Sequence, residues 1–232
     1  MGLKSIFLYA IVVIIIYLVY SYLISDKTKS NLTALLNAKH ETKIDAKKLP
    51  KGDSHDYAYS IWIYVNDWNY RYGEAKNIIQ RSKVLNGKIE YAPRLYLDDN
   101  TNNLKVDITT ISNPHTTKTC EINNIPIQKW VNIIVSVYNR TVDIYIDGKL
   151  NKTCLLPNVP TYNTSDLIIG DEGGFSGFTS KLEYWSRAIG PRKAYEVYKE
   201  GYGQGLFSGM LNKYRLKLSF MNDGVEVNSL EI

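Results

Sequence analysis

Hydrolysis of a glycosidic bond needs two carboxylates facing each other across the scissile bond. The chain offers three candidate pairs: Asp98 with Asp99, Asp143 with Asp147, and Asp171 with Glu172. The first lies in the turn-forming run DDNTNN (98–103). Asp143 and Asp147 share a strand face, but Asp147 opens an Asp-Gly turn. Asp171 and Glu172 are adjacent, so an extended backbone points them apart. No catalytic residue is assigned, and the chain is expected not to be an enzyme. His40, His55 and His115 show no helical metal-ligand spacing. GYGQG (201–205) follows a short helical stretch, whereas a phosphate-binding loop should precede one. The run 98–103 is the sole dense Asp/Asn cluster, and a hairpin turn explains it better than calcium. No metal and no cofactor is expected.

Binding chemistry remains. A sugar site presents an aromatic platform with a few polar groups. DWNYRY (67–72), just after a strand-like run, supplies Trp68, Tyr70 and Tyr72. DEGGF (171–175) supplies Asp171 and Glu172 as a second candidate. The alternative for both is aromatic packing at a sandwich edge or against a protein neighbour. Trp62, Trp130 and Trp185 fall inside strand-like runs and are expected in the core. Cys120 and Cys154 have no CxxC partner; they could form one disulfide or remain buried thiols.

These residues are carried by a chain of 232 residues with a formal charge of +5. Residues 5–25 hold no charged side chain. As a helix of about 1.5 Å per residue they span roughly 30 Å, the thickness of a bilayer core. Tyr17, Tyr20 and Tyr22 lie toward one end, as interfacial aromatics do. The apolar run is longer than the core of a cleaved signal peptide and lacks an Ala-x-Ala-like site. A single-pass N-terminal anchor is therefore expected over 1–25.

Residues 26–56 are expected to form a basic stalk, helical around 32–38. Lys27 and Lys29 could meet anionic headgroups at the membrane surface or simply belong to a solvated stalk. Residues 52–232 carry 20 basic and 20 acidic side chains. A neutral domain has no basic footprint for nucleic acid, which is excluded as a partner. Lysine counts beside the anchor lean toward a cytoplasmic domain. The sequons at Asn31, Asn139, Asn151 and Asn163 pull the other way.

From Tyr57 onward the pattern is strand-like. Val131, Ile133, Val135 and Val137, then Val142, Ile144 and Ile146, place an apolar residue at every second position. Asn86-Gly87 and Asp147-Gly148 are hairpin turns. Many short strands with turns every 8–12 residues indicate a sandwich or barrel. One helix is expected after Gly190, with Pro191 in its first turn. The domain spans 57–203, and 204–232 is expected to be a C-terminal extension forming a β-hairpin.

QKWVNIIVSVYNRTVDIYIDGKL (128–150) resembles the laminin G / concanavalin A-like lectin–glucanase superfamily: a Trp-led strand, a turn, then a strand ending Tyr-x-Asp-Gly-Lys. SIWIYV (60–65) is similar to its early strand, and LIIGDEGGFSGFTSKLEYWSRAIGPRKAYEVYKEG (167–201) to its closing block. The resemblance covers about 55–203. It implies an all-β, concanavalin A-like jelly-roll sandwich of two antiparallel sheets. The superfamily's glucanases place their carboxylates on one strand as Glu-x-Asp-x-x-Glu or a close variant, a spacing this sequence lacks.

More narrowly, the region from Cys120 to Cys154 and the C-terminal KYRLKLSFMNDGVEVNSLEI resemble a version encoded by large nucleocytoplasmic DNA viruses, several of which carry an N-terminal membrane segment. This implies a non-enzymatic virion component, minor capsid-type, located at the virion membrane. Its partners would be membrane lipid and capsid or other virion proteins. The alternative is a membrane-displayed lectin-like module binding a glycan.

Overall fold

The computed structural model describes residues 7, 11–17, 28–52, 55–112, 114–203, 217–222 and 225–231. Residues 11–17 are helical. Among the described residues no helix is long and apolar enough to cross a membrane. The remainder of the expected span 5–25, and Lys27, lie outside the described residues.

Alternation of apolar and polar residues builds two antiparallel sheets. In chain order the strands are β1 (Lys29–Asn31), β2 (Leu36–Asn37), β3 (Thr42–Ile44), β4 (Tyr57–Asp67), β5 (Lys76–Leu85), β6 (Lys88–Leu97), β7 (Leu104–Thr110), β8 (Thr116–Ile122), β9 (Trp130–Tyr138), β10 (Thr141–Ile146), β11 (Lys149–Leu155), β12 (Leu167–Ile169) and β13 (Ser176–Trp185). The first sheet runs β1-β13-β4-β9-β10-β11, with β2 also on β13; the second runs β3-β12-β5-β6-β7-β8. Register puts Ile61 opposite Ile133 and Ile63 opposite Val131 on the inner face. These residues pack against Leu95, Leu97, Leu104, Val106 and Ile108 of the second sheet, all fully buried. The turn residues Asn86, Gly87, Asp147 and Gly148 have positive φ, as the type I′ geometry demands.

The first sheet is also buried on part of its outer face. Helix α1 (Pro191–Lys199) starts with Pro191, whose fixed φ suits the first turn. Its Ala194 and Val197, with Ile189, cover Ala58, Ile134, Tyr145 and Trp185 in a second apolar cluster. This explains why β4 is apolar on both faces.

The expected stalk is replaced by pairing into the sandwich. β1 and β2 extend the first sheet and β3 the second. The expected helix at 32–38 is absent: Leu32 N–H donates to the Leu182 carbonyl (2.8 Å) and Ala38 N–H to that of Gly177 (3.0 Å). Ala38, Ile44 and Leu49 are buried. Sheet pairing and burial outweigh the weak local propensity of a short leucine-bearing segment. Cys120 on β8 and Cys154 on β11 form a disulfide, with Cα atoms 6.3 Å apart. It joins the edge strands of the two sheets. At the C-terminus, β14 (Lys217–Asn222) and β15 (Val225–Glu231) pair antiparallel in a sheet of their own.

Candidate functional site

Two regions bring aromatic and polar residues together. The first is the rim made by the loop after β4 and the turn before β13, which the fold sets side by side. Tyr70 Oη donates to the Gly173 carbonyl (3.1 Å). Trp68 packs against the main core, and the Lys76 ammonium lies 4.5 Å above its ring. Lys76 is fully buried, and its Nζ donates to the carbonyls of Glu74 (3.3 Å) and Asp99 (3.5 Å). Burial, and then the nearby charge of Arg71, lowers its pKa. Asp171 accepts from the Gln80 amide, and Glu172 accepts from Asn77 Nδ2 (2.9 Å). Arg71 pairs with Glu74 (2.7 Å), and Lys39 Nζ sits over the Tyr70 ring (4.5 Å). Of the five residues singled out from sequence, Trp68, Tyr70, Asp171 and Glu172 are therefore engaged within the molecule. Tyr72 stands exposed, at 62%, and Glu172 is exposed too, though hydrogen-bonded.

The other sequence candidates are structural. Asp143 accepts from Thr153 Oγ1 (2.6 Å), and Asp147 accepts from the Asn132 N–H (2.9 Å). Asp98 closes its hairpin by accepting from Thr101 Oγ1 and Lys105 Nζ. His115 meets Glu90, which also pairs with Lys83 (3.3 Å). Burial pushes the Glu90 carboxyl up, but these two donors pull it net below its ordinary value. His55 Nδ1 lies 2.9 Å from the Pro160 carbonyl. Among the described residues no group of three His, Cys, Asp or Glu side chains is placed to hold a metal. Lys29 turns toward the sandwich. Its Nζ is 2.8 Å from the fully buried Glu183 and lies over the Trp185 ring (5.3 Å). Desolvation drives this inward placement: Glu183 is buried by the sheet and Lys29 is the cation in contact with it.

The second region was not foreseen. β4, β9 and β13 turn Trp62, Tyr64, Trp130, Phe178 and Ser180 to the outer face, on the part of the first sheet that α1 leaves open. The segment after α1 folds back over this face. Ser180 Oγ donates to the Tyr202 carbonyl (2.7 Å), and Lys181 Nζ reaches Glu200 (2.8 Å) and the Gly201 carbonyl (3.3 Å). Tyr202 thereby stacks on Trp130, with ring centroids 4.7 Å apart and planes 10° apart. Tyr198 stacks on Trp62 at 5.6 Å and 20°. Tyr64 leans on Trp130 at 5.6 Å. The result is a groove of about 700 Å³ walled by Tyr64, Trp130, Phe178 and Tyr202, with Leu35 at one side and Asn66 and Ser180 as polar lining. Leu35 and Phe178 are 59% and 42% exposed. A recess of about 160 Å³, lined by Asn37, Lys39, Asn66 and Ser176, continues it. A side chain at Gly177 would collide with the Tyr64 carbonyl, so glycine keeps β13 and β4 close here.

Trp130, expected in the core, is half-buried and lines this groove. Trp62 and Trp185 are buried, but on the outer face, under Tyr198 and α1. The signal was in the alternation: Trp62 and Tyr64 are out of phase with Ile61, Ile63 and Val65.

A family model for the concanavalin A-like lectin/glucanases superfamily matches residues 38–193. The chain belongs to that superfamily. Its match begins at Ala38, inside the segment expected as a stalk. Solved structures with similar folds include the botulinum neurotoxin serotype G binding domain, at 14% identity and a TM-score of 0.52, covering 74% of this chain and 46% of that one. Another is the botulinum neurotoxin serotype D ligand-binding domain in complex with N-acetylneuraminic acid, at 14% identity and a TM-score of 0.51, covering 65% and 37%. A third, the serotype D binding domain, has 12% identity and a TM-score of 0.52, covering 75% and 42%. At such identities the likeness shows the fold alone. The superfamily domain here spans less than half the length of those toxin chains. No curated protein matches the sequence.

Proposed function

We propose that this superfamily member is a non-catalytic, lectin-like module that binds a glycan in the aromatic groove on the outer face of its first sheet. The observation that carries this reading is the groove itself. Aromatic walls at Tyr64, Trp130, Phe178 and Tyr202 stand beside the polar side chains of Asn66 and Ser180 and lead into a polar recess with Asn37, Lys39 and Ser176. Sugar rings lay their C–H faces on such aromatic surfaces, while their hydroxyls need amides and hydroxyls at the edge. The superfamily contains glucanases, but among the described residues no carboxylate lines the groove or its recess, so the facing pair that hydrolysis requires is not found there. One structural neighbour is described as a ligand-binding domain in complex with N-acetylneuraminic acid, which agrees in kind with a glycan ligand.

The expectation of a virion component joining lipid to capsid protein draws no support from the fold or from the similar structures. The glycan-binding alternative takes its place. The N-terminal span 5–25 remains in this reading as a proposed single-pass anchor. Because β1 begins at Lys29, only residues 26–28 separate that span from the sandwich. At most about 3.6 Å per residue, the domain would lie against the bilayer rather than on a long tether.

A glycan array probed with the full chain in detergent micelles tests the function. Binding to a defined set of glycans is expected, lost in Phe178→Ala and kept in Tyr72→Ala. No glycan bound, or loss in Tyr72→Ala with Phe178→Ala unaffected, would overturn the groove as the site.

A further inference from the structure

The hairpin of β5 and β6 carries apolar side chains out to its tip. Val84, Leu85 and Ile89 are 70%, 41% and 53% exposed around the Asn86-Gly87 turn. Val84 pairs with Ile89 across the two strands, so these side chains are neighbours on one face. The tip projects beyond its sheet. β12 runs beside β5 only at Ile79–Arg81, and β7 beside β6 only at Arg94–Leu97. Among the described residues no strand flanks 84–89. At the rise of an extended strand, Leu85 stands about 13 Å past Arg81.

The charge presented there is positive. Lys88 is exposed. Lys83 Nζ donates to the Tyr162 carbonyl (3.1 Å) at the base of the tip. Glu90 is the one carboxylate between Ser82 and Ala92, and it is buried against Lys83 and His115. Apolar side chains with a lysine on either side of the turn, and no exposed carboxylate, suit an anionic lipid surface. The apolar groups enter the acyl boundary while the ammonium groups stay among the phosphates.

The point where the chain enters the sandwich brings the same end to lipid. Lys29, the first residue of β1, pairs with Trp185, and Trp185 pairs with Ala58. Tyr57, next to Ala58, shares a small cavity between the sheets with Arg81 and Ala92, the residues from which the tip extends. The charge-free run 5–25 therefore joins the sandwich at the end that carries the tip, through residues 26–28 alone. Tyr64, Trp130 and Phe178 of the groove lie toward the other end of β4, β9 and β13.

We infer that the β5–β6 hairpin tip inserts into the interfacial layer of an anionic bilayer and sets the sandwich with its groove away from the lipid. The inference rests on the anchor reading of 5–25, which puts that bilayer within reach. A protein partner fits less well, because three side chains on a convex tip fall far short of the ~800 Å² per partner of a standard interface. A bilayer needs no matching shape, and a short tether keeps the tip at high effective concentration beside it.

The test is depth measurement with nitroxide spin labels on the full chain in vesicles of phosphatidylcholine and phosphatidylserine. The two native cysteines are joined to each other, so one added cysteine takes the label. Leu85→Cys reports the tip, Tyr72→Cys the opposite end and Val13→Cys the apolar run. The Leu85→Cys label is expected to lose most of its relaxation by an aqueous nickel chelate and to gain relaxation by oxygen, which concentrates among acyl chains. The Tyr72→Cys label should stay open to nickel. Adding Lys88→Glu, or using phosphatidylcholine alone, should raise nickel access at the tip several-fold. A Leu85→Cys label as open to nickel as the Tyr72→Cys label would overturn the inference. If the Val13→Cys label is shielded in that same sample, the anchor reading survives by itself; if it too is open, both fall. A shielded tip with an open Val13→Cys label would keep the hairpin and remove the anchor. Shielding from nickel with no gain in oxygen, together with broadening by a second label, would put another copy of the chain on the tip and overturn the inference as well.

Discussion

The rim and the outer-face groove are built from the same kinds of residue and differ in what those residues have left to offer. At the rim, Tyr70, Arg71, Asp171 and Glu172 spend their polar groups on Gly173, Glu74, Gln80 and Asn77, and Trp68 is capped by Lys76. In the groove, Trp130, Phe178 and Tyr202 present aromatic surface that no strand or helix of the described sandwich covers. The same sheet face makes the point again a few residues away, where α1 closes over Trp185. An aromatic cluster is therefore a candidate ligand surface only where the fold leaves it uncovered. Residue type does not distinguish the two cases.

The comparison can be broken by substitutions that should act on one property and spare the other. Trp185→Ala, under the helix, is expected to cost about 3–5 kcal/mol in urea unfolding, the range for a fully buried aromatic. Replacing Cys120 and Cys154 together by Ser should cost about 3–4 kcal/mol, from the chain entropy of a loop closed over 34 residues. Glycan affinity should survive that change at temperatures where the chain stays folded, since the groove lies away from the disulfide-bearing edge strands. Phe178→Ala should do the reverse, weakening glycan binding about tenfold or more, or about 1.4 kcal/mol, with little effect on the unfolding midpoint. Tyr72→Ala should change neither quantity by more than about 0.5 kcal/mol, as for an exposed side chain without a partner to lose.

A pH effect tests the structural role of Asp98 in the hairpin between β6 and β7. Burial pushes the Asp98 carboxyl up, but hydrogen bonds from Lys105 and Thr101 bring it down to about 2. A carboxyl held below its unfolded value stabilises the fold above that unfolded value, near 4, and the contribution disappears as pH falls toward 2. Urea midpoints should drop over that window in the wild type, and the drop should be shallower in Lys105→Ala.

Much of the fold was legible because alternation and turn chemistry are local signals. Val131 to Val137, Val142 to Ile146 and the Asp147-Gly148 turn specify two paired strands without reference to anything distant. The N-terminal segment was misread for the opposite reason. Nothing local in 29–44 announces that Lys29 will meet Glu183, some 150 residues later, or that Leu36 will pair with Thr179. The rim loops were correctly found to be aromatic and acidic, but their mutual satisfaction is a tertiary fact. The groove was missed because Trp62, Trp130 and Trp185 look alike in strands, and only the placement of α1 decides which is covered. Phase held the usable signal: Trp62 and Tyr64 oppose the core residues of the same strand, so some aromatic surface had to lie outside the sandwich.

The chain's four tryptophans give the most direct test of the uncovered groove as the ligand surface. Their indole N–H groups can be followed in an ¹H–¹⁵N spectrum of the full chain while a glycan selected on the array is titrated. The account predicts that the Trp130 resonance moves with the binding curve, while those of Trp68 at the rim and Trp185 under the helix stay in place. Movement of Trp68 with Trp130 unchanged would contradict it.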